Sequence, residues 1–142
     1  MRTVRQRGFA FITVLLLVMM IGSGLAVTGV VWKSQQRRQD ELALLDYGNQ
    51  YKRAISLYYH SSRNGVPQYP SSLGDLLQDP RYLYPRRYIR KLYFDPITRG
   101  AWGEVRSRDG GIVGVYSMSE SVPVSYAMFG VLKYNQYKFI IN

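Results

Sequence analysis

The sequence carries a long uncharged stretch near its start, from Gly8 to Trp32. Most of its residues are strongly apolar, and Val, Leu, Ile, Met and Phe predominate in its first half. A helix that crosses ~30 Å of hydrocarbon needs about 20 such residues. As a helix, residues 9–32 would be about 36 Å long at ~1.5 Å per residue. The stretch therefore predicts a transmembrane helix over residues 9–32.

A short basic segment precedes the uncharged stretch, and further cations follow it. Arg2, Arg5 and Arg7 lie within residues 1–8, and the cations that follow are Lys33, Arg37 and Arg38. Because the two ends are nearly balanced, the positive-inside rule does not fix an orientation. A secretory signal peptide has a shorter apolar core that ends in a small-residue cleavage site. Residues 1–8 are therefore interpreted as a basic leader peptide of another kind.

Gly8 separates this leader from the apolar stretch, and Phe9 follows at once. The tripeptide Arg7-Gly8-Phe9 resembles the class III cleavage site of type IV prepilins and type II secretion pseudopilins. The resemblance implies that a prepilin peptidase cuts after Gly8 and that Phe9 becomes an N-methylated terminus. It also implies a single-pass protein of the bacterial inner membrane, with a cytoplasmic N-terminus and a periplasmic C-terminal head.

Thr13 marks a departure from the family pattern, which usually has a glutamate four residues after the new N-terminus. In the family that carboxylate meets the free amino group of a neighbouring subunit inside the filament. A hydroxyl cannot neutralise an ammonium group in a low-dielectric helix bundle. The substitution favours a minor, tip-located subunit over the bulk repeating one, although tolerance of threonine by the bundle stays open.

A second helical part is predicted over residues 33–62, since no proline occurs before Pro67. Its first positions form a polar collar that extends from Lys33 to Glu41. Apolar residues and one glycine then recur at steps of four and three, which is one face of an α-helix: Leu44, Gly48, Tyr51, Ile55 and Tyr58. One helix is thus expected from near Phe9 to near Ser61.

Residues 63–142 contain all six prolines and are predicted to form a globular head. Strands are expected at residues 102–106, 111–118 and 137–141, with a hairpin tip at Asp109-Gly110. A short capped helix is expected after Ser71 or Ser72. The predicted fold class is α+β and pilin-like: a long N-terminal transmembrane helix that continues into a periplasmic head, with a small antiparallel sheet packed on the helix.

The order of short motifs in the head is similar to that of the major pseudopilin of type II secretion. The motifs are Tyr69-Pro70, the leucines that follow, Tyr88 to Leu92, Asp95-Pro96, Trp102-Gly103 and Tyr116-Ser117. In that family a loop after the last motif holds calcium through several aspartates. Calcium prefers six to eight oxygen ligands, and the weak candidates in this chain are Asp95, Asp109 and Glu120. Asp95-Pro96 is better interpreted as a turn, so no metal or other cofactor is predicted.

The net charge is +10. Its densest stretch comprises Arg86, Arg87, Arg90 and Lys91. Scattered positive charge usually marks a solvated surface, but a basic patch among aromatic residues can also bind nucleic acid. These four residues are therefore candidates for DNA binding in an alternative, competence-type pilin.

The leading hypothesis is a pseudopilin-like structural subunit of a type II secretion or related type IV pilus filament, with a role in protein transport. Its expected partners are a prepilin peptidase, other pilins or pseudopilins, the membrane, and the inner-membrane assembly platform with its ATPase. The chain has no cysteine and one histidine, and it shows no recognisable catalytic motif, so we do not expect an enzyme. A membrane-anchored periplasmic protein of another function stays as a further alternative.

Overall fold

The computed structural model describes residues 6–62, 65–125 and 130–141, and within the long helix it leaves the side chains of residues 6–9 and 21–31 undescribed. Arg2 and Arg5 of the predicted leader lie outside the described residues. The chain divides into two compact units, Met1–Arg37 and Arg38–Asn142. The second unit holds the sheet and the buried core.

Helix α1 extends from Gln6 to His60. Among the residues that the structure describes, no helix has a stretch both long and apolar enough to cross a membrane. A span of ~30 Å of hydrocarbon needs about 20 predominantly apolar residues in one helix. The prediction of a transmembrane segment at residues 9–32 is therefore wrong, and so is the single-pass location in the inner membrane.

The part of α1 in the second unit buries one face. Leu44, Gly48, Tyr51, Ile55 and Tyr58, the five positions predicted from helical spacing, are all buried. The polar collar is largely exposed, as expected, but Glu41 at its end is 1 % exposed. The periodicity thus identified the buried face of the helix and missed a buried carboxylate beside it.

The sheet has three antiparallel strands in the order β1, β2, β3. They are β1 (Gly103–Arg106), β2 (Ile112–Tyr116) and β3 (Lys138–Ile140). The β1–β2 hairpin turns through Gly110, whose φ of 84° suits a residue without a side chain. The predicted hairpin tip at Asp109-Gly110 is confirmed. β2 pairs with β3 through Val115 opposite Phe139.

The described residues also form two 3₁₀ helices, Leu73–Leu76 before β1 and Tyr134–Gln136 between β2 and β3. The first starts where a capped helix was predicted, and the Asp75 carboxylate accepts hydrogen bonds from the backbone N–H of Ser71 and Ser72. The segment from Arg86 to Tyr93 contains bends without a helix.

The core of the second unit joins the buried face of α1 to the sheet. Its cluster includes Ile55 from the helix, Ile112 and Val115 from β2, and Phe139 from β3. The Tyr51 hydroxyl donates to the backbone carbonyl of Tyr93 at 3.0 Å and accepts from the N–H of the same residue at 2.9 Å. The protein is therefore α+β with a three-stranded antiparallel sheet on the helix, and the membrane-spanning part of the predicted fold class is incorrect.

Candidate functional site

The most unusual surface of the chain is the start of α1, which we call the apolar segment and define as residues 10–20. Its large apolar side chains are 47–75 % exposed, from Leu15 at the low end to Met20 at the high end. Successive helix positions are about 100° apart, so eleven consecutive exposed positions cover every side of the helix. A helix that is apolar all round is normally covered by other protein or lipid. The apolar segment is therefore a candidate contact surface.

The residues predicted for processing and assembly lie in or beside this segment. Gly8 and Phe9 fall in the first turns of α1, and their side chains lie outside those that the structure describes. Thr13 is exposed within the apolar segment. Thr13 therefore lies on the candidate contact surface.

Asp95, a candidate metal ligand, is fully buried and surrounded by hydrogen-bond donors of the chain itself. One carboxylate oxygen accepts from the backbone N–H of Ile97 at 2.9 Å. The other accepts from the hydroxyls of Thr98 at 2.8 Å and Ser117 at 2.6 Å. The backbone N–H of Arg99 also donates to the Asp95 carbonyl at 2.8 Å. These contacts close a turn and tie it to the end of β2, which confirms the interpretation of Asp95-Pro96 as a turn.

The other two candidate ligands lie on the surface. Asp109 is exposed at the tip of the β1–β2 hairpin. Glu120 lies 3.3 Å from the ammonium group of Lys133, and its side chain is 76 % exposed. Over the described residues, no three His, Cys, Asp or Glu side chains gather where they could hold a metal ion. The structure does not bring the three predicted ligands together as a metal site.

The predicted basic patch divides into two parts. Arg86 and Arg87 line a pocket at the C-terminal end of α1. Arg90 is exposed and does not line that pocket, and the Lys91 ammonium lies 5.2 Å from the ring centroid of Tyr93. All four side chains are exposed.

A buried ion pair that the sequence analysis missed lies under the end of α1. Asp79 is 0 % exposed at its side chain and receives two N–H groups of Arg81, with the shortest distance 2.7 Å. The Arg81 guanidinium lies 3.7 Å from the ring centroid of Tyr58 and donates to the Tyr58 carbonyl at 2.9 Å. Arg81 thus satisfies a carbonyl in the last turn of the helix, where cations are favoured.

Two hydroxyls complete this cluster. The Tyr88 hydroxyl donates to Asp79 at 2.8 Å and lies 2.5 Å from the Ser61 hydroxyl. Burial alone would raise the pKa of Asp79, but the hydrogen bonds from Arg81 and Tyr88 outweigh it and hold the pKa below its usual value. Asp79 is therefore an anion that holds Arg81 in place, and Arg81 binds the 79–88 segment to Tyr58 of the helix.

Glu41 makes a second carboxylate link between α1 and a distant segment. One of its oxygens accepts from the backbone N–H of Val124 at 2.6 Å and from the Tyr134 hydroxyl at 2.6 Å. Burial would raise the pKa of Glu41, yet the hydrogen bonds from Tyr134, Ser125 and Val124 hold it below its usual value. The second carboxylate oxygen is buried and has no hydrogen-bond partner among the described residues.

Neither carboxylate link had a sequence signal strong enough to find it. Asp79 precedes a proline in a turn-rich segment, and Glu41 ends a run of charged and amide residues that is typical of a solvent-exposed surface.

Comparison with protein-family models, with curated proteins and with solved structures finds no match to this chain.

Proposed function

We propose that this chain is a pseudopilin-like structural subunit of a type II secretion or related type IV pilus filament. A prepilin peptidase removes residues 1–8, and the chain then assembles with other pilins or pseudopilins through its N-terminal helix. An assembly platform and its ATPase drive the extension that moves cargo. The subunit itself carries out no chemistry.

The observation that carries the proposal is the exposure of the apolar segment on all sides of α1. Phe11 is 68 % exposed and Met19 is 68 % exposed, although each is a residue that gains about 1.5–3 kcal/mol when fully buried. No described side chain of the segment is buried. A bundle of similar helices would cover every side at once, whereas a flat partner would cover only one.

The second unit suits the same role because its sheet and core are built on α1 itself. Residues 38–60 bury the face that includes Tyr51 and Ile55, so the sheet of the second unit packs on the unit's own part of α1. The leader with Gly8-Phe9 and the motif order in the head support the same family. Thr13, in place of the usual glutamate, favours a minor subunit over the bulk one.

The test uses the absence of cysteine, since any introduced thiol is unique. The full chain would be produced with a prepilin peptidase, and its intact mass and N-terminal sequence determined. We expect a start at N-methylated Phe9. A photo-crosslinker on Leu16→Cys should then capture a protein with a pilin-type N-terminal helix, identified by mass spectrometry.

Met118→Cys provides the matched control, because Met118 is 52 % exposed but lies in the second unit. The control should capture no N-terminal helix. An unprocessed chain that starts at Met1 would contradict the proposal. It would also be contradicted if Leu16→Cys captured only proteins that lack a pilin-type N-terminal helix.

A further inference from the structure

A pocket of about 390 Å³ lies at the C-terminal end of α1, away from the apolar segment in sequence. Its walls come from the last turn of the helix and from the segment that the Asp79–Arg81 pair binds to it. The lining residues are Leu57, His60, Ser61, Arg86, Arg87 and Tyr88. Two guanidinium groups and one imidazole therefore surround a small concave space.

The positive charge at this pocket is not compensated within the described part of the chain. Asp79, the nearby buried acid, already binds Arg81 through two hydrogen bonds. Neither Arg86 nor Arg87 makes an ion pair among the described residues. Arg81 also donates to the Tyr58 carbonyl in the last turn of α1. This contact offsets the partial negative charge at the C-terminus of the helix, which would otherwise repel an anion.

The aromatic rings beside the pocket hold one guanidinium group in place. The Cζ atom of Arg86 lies 5.2 Å from the ring centroid of Tyr82 and 5.7 Å from that of Tyr88, and its Nη1 donates to the Tyr82 hydroxyl at 3.3 Å. The Nδ1–H of His60 donates to the Ser56 carbonyl at 2.7 Å, which fixes the imidazole ring. A preorganised cation loses less conformational entropy when it binds an anion.

We propose that this pocket binds a side-chain carboxylate from an acidic segment of another protein. Arginine forms paired, charge-assisted hydrogen bonds with a carboxylate, and Arg86 and Arg87 supply the donors. Leu57, which is 51 % exposed, offers apolar contact to the stem of the acidic side chain. The exposed Leu83 and Tyr84, 89 % and 82 % exposed, precede the two arginines in sequence and favour a partner that alternates acidic and apolar residues.

A second copy of this chain has few acids to offer. Four of its nine acidic residues form ion pairs: Asp40, Asp79, Glu104 and Glu120. Three others accept hydrogen bonds from their own chain: Glu41, Asp75 and Asp95. Asp46 accepts from Gln50, and only Asp109 is exposed without such a contact among the described residues. These contacts, together with the net charge of +10, favour a different, acidic chain as the partner.

The division of the basic stretch favours a carboxylate over nucleic acid. A nucleic-acid strand is held by a groove that follows successive phosphates, but Arg90 does not line the pocket that Arg86 and Arg87 share. One concave pocket suits one anionic group. The site is also separate from assembly through the N-terminal helix, so it can be tested whether or not the proposed filament role holds.

The experiment measures binding of the full chain to a fluorescent hexapeptide of alternating glutamate and leucine, and to its glutamine counterpart, by anisotropy. We expect the acidic peptide to bind and the glutamine peptide to bind at least about tenfold more weakly. Arg87→Gln should raise the Kd of the acidic peptide about tenfold, and the Arg86→Gln, Arg87→Gln double variant further. Far-ultraviolet circular dichroism would verify that each variant is folded.

Arg90→Gln is the matched control, because it removes the same charge from an exposed position outside the pocket. Its Kd for the acidic peptide should stay within about twofold of that of the parent, because salt screens the effect of an exposed charge outside the pocket. The proposal is overturned if Arg87→Gln and Arg90→Gln lose affinity for the acidic peptide equally. It is also overturned if the two peptides bind equally well, or if the acidic peptide does not bind. Tighter binding of a single-stranded oligonucleotide, weakened equally by the Arg87 and Arg90 substitutions, would replace it with a nucleic-acid site.

Discussion

The ring of Phe139 in β3 lies directly against the backbone of Gly48 in α1, so that a Cβ at position 48 would overlap the ring. Phe139 is 3 % exposed. Its ring is in edge contact with Trp102 at 6.1 Å and with Tyr137 at 5.0 Å between centroids. The glycine therefore sets the closest approach between the sheet and the helix.

Gly48→Ala should destabilise the protein. Alanine improves helix propensity by about 1 kcal/mol, but overpacking a filled core costs about 1–3 kcal/mol, and the neighbouring rings leave Phe139 little space to move. We expect a net loss of about 1 kcal/mol, measured by chemical denaturation. Asn49→Ala, at the adjacent exposed position, should be neutral or slightly stabilising. An increase in stability for Gly48→Ala would contradict the close contact.

The buried Glu41 carboxylate should make the folding stability of the protein depend on pH. Its pKa in the folded chain is lowered from 4.5, so its contribution is fully present above about pH 4.5 and is lost as the pH falls through the folded value. Glu41→Gln should lower stability near neutral pH by about 1–3 kcal/mol, because it places an uncharged amide among donors. It should also reduce the loss of stability between pH 5 and pH 3, measured by thermal denaturation at each pH.

Glu120→Gln serves as the control for this pH effect, since the Glu120 side chain is 76 % exposed and its ion pair with Lys133 lies on the surface. The control should leave both the stability and its pH profile almost unchanged. Identical pH profiles for the parent and Glu41→Gln would show that Glu41 does not carry the effect.

Breaking the buried Asp79–Arg81 ion pair should cost much more folding stability than breaking an exposed ion pair of the same chain. Asp79→Asn leaves the Arg81 guanidinium, 16 % exposed, without its carboxylate, and should cost about 3–5 kcal/mol. Glu104→Gln breaks the exposed pair with Arg106, whose side chain is 49 % exposed, and should cost at most about 1 kcal/mol. Urea denaturation of both variants gives the comparison, and equal losses would contradict the structural difference between the pairs.

Thr13 predicts how the chain is used in a filament, if the proposed function holds. Thr13→Glu supplies the carboxylate that family members use to meet the amino group of a neighbouring subunit, so its share of the purified filament should rise. Thr13→Gln has nearly the same shape without the charge and should behave like the parent. Quantitative mass spectrometry of the filament measures the share, and no difference between the two variants would argue against the minor-subunit interpretation.

The features that the sequence predicted well are those encoded over short distances. Leu44, Gly48, Tyr51 and the two positions that follow are buried because their spacing of three and four is a property of the helix itself. The Asp109-Gly110 turn likewise depends on local backbone conformation. The strands were found near their observed positions for the same reason, although each is shorter than predicted.

The features that the sequence missed depend on residues far apart in the chain. Glu41 lies at the end of a charged run, and its partners Val124 and Tyr134 follow 83 and 93 residues later. Arg81 reaches back to Tyr58, and only the folded chain shows that Arg86 shares a pocket with His60 but Arg90 does not. The transmembrane prediction relied on a count of uncharged positions, whereas no helix among the described residues is long and apolar enough to cross a membrane.

Carboxylates help to hold two distant segments of the chain to α1. Asp79 acts through Arg81, which donates to the Tyr58 carbonyl, and Glu41 accepts directly from Val124 and Tyr134, in a chain that has no cysteine. Secreted domains of this size often rely on disulfides for the same purpose. Protonation of the two carboxylates, and not reduction by thiols, weakens these links, because the pKa of each acid is lowered in the folded protein. The second unit should therefore keep these links in oxidising and reducing surroundings alike and lose them as the pH falls through the lowered pKa values of the two acids.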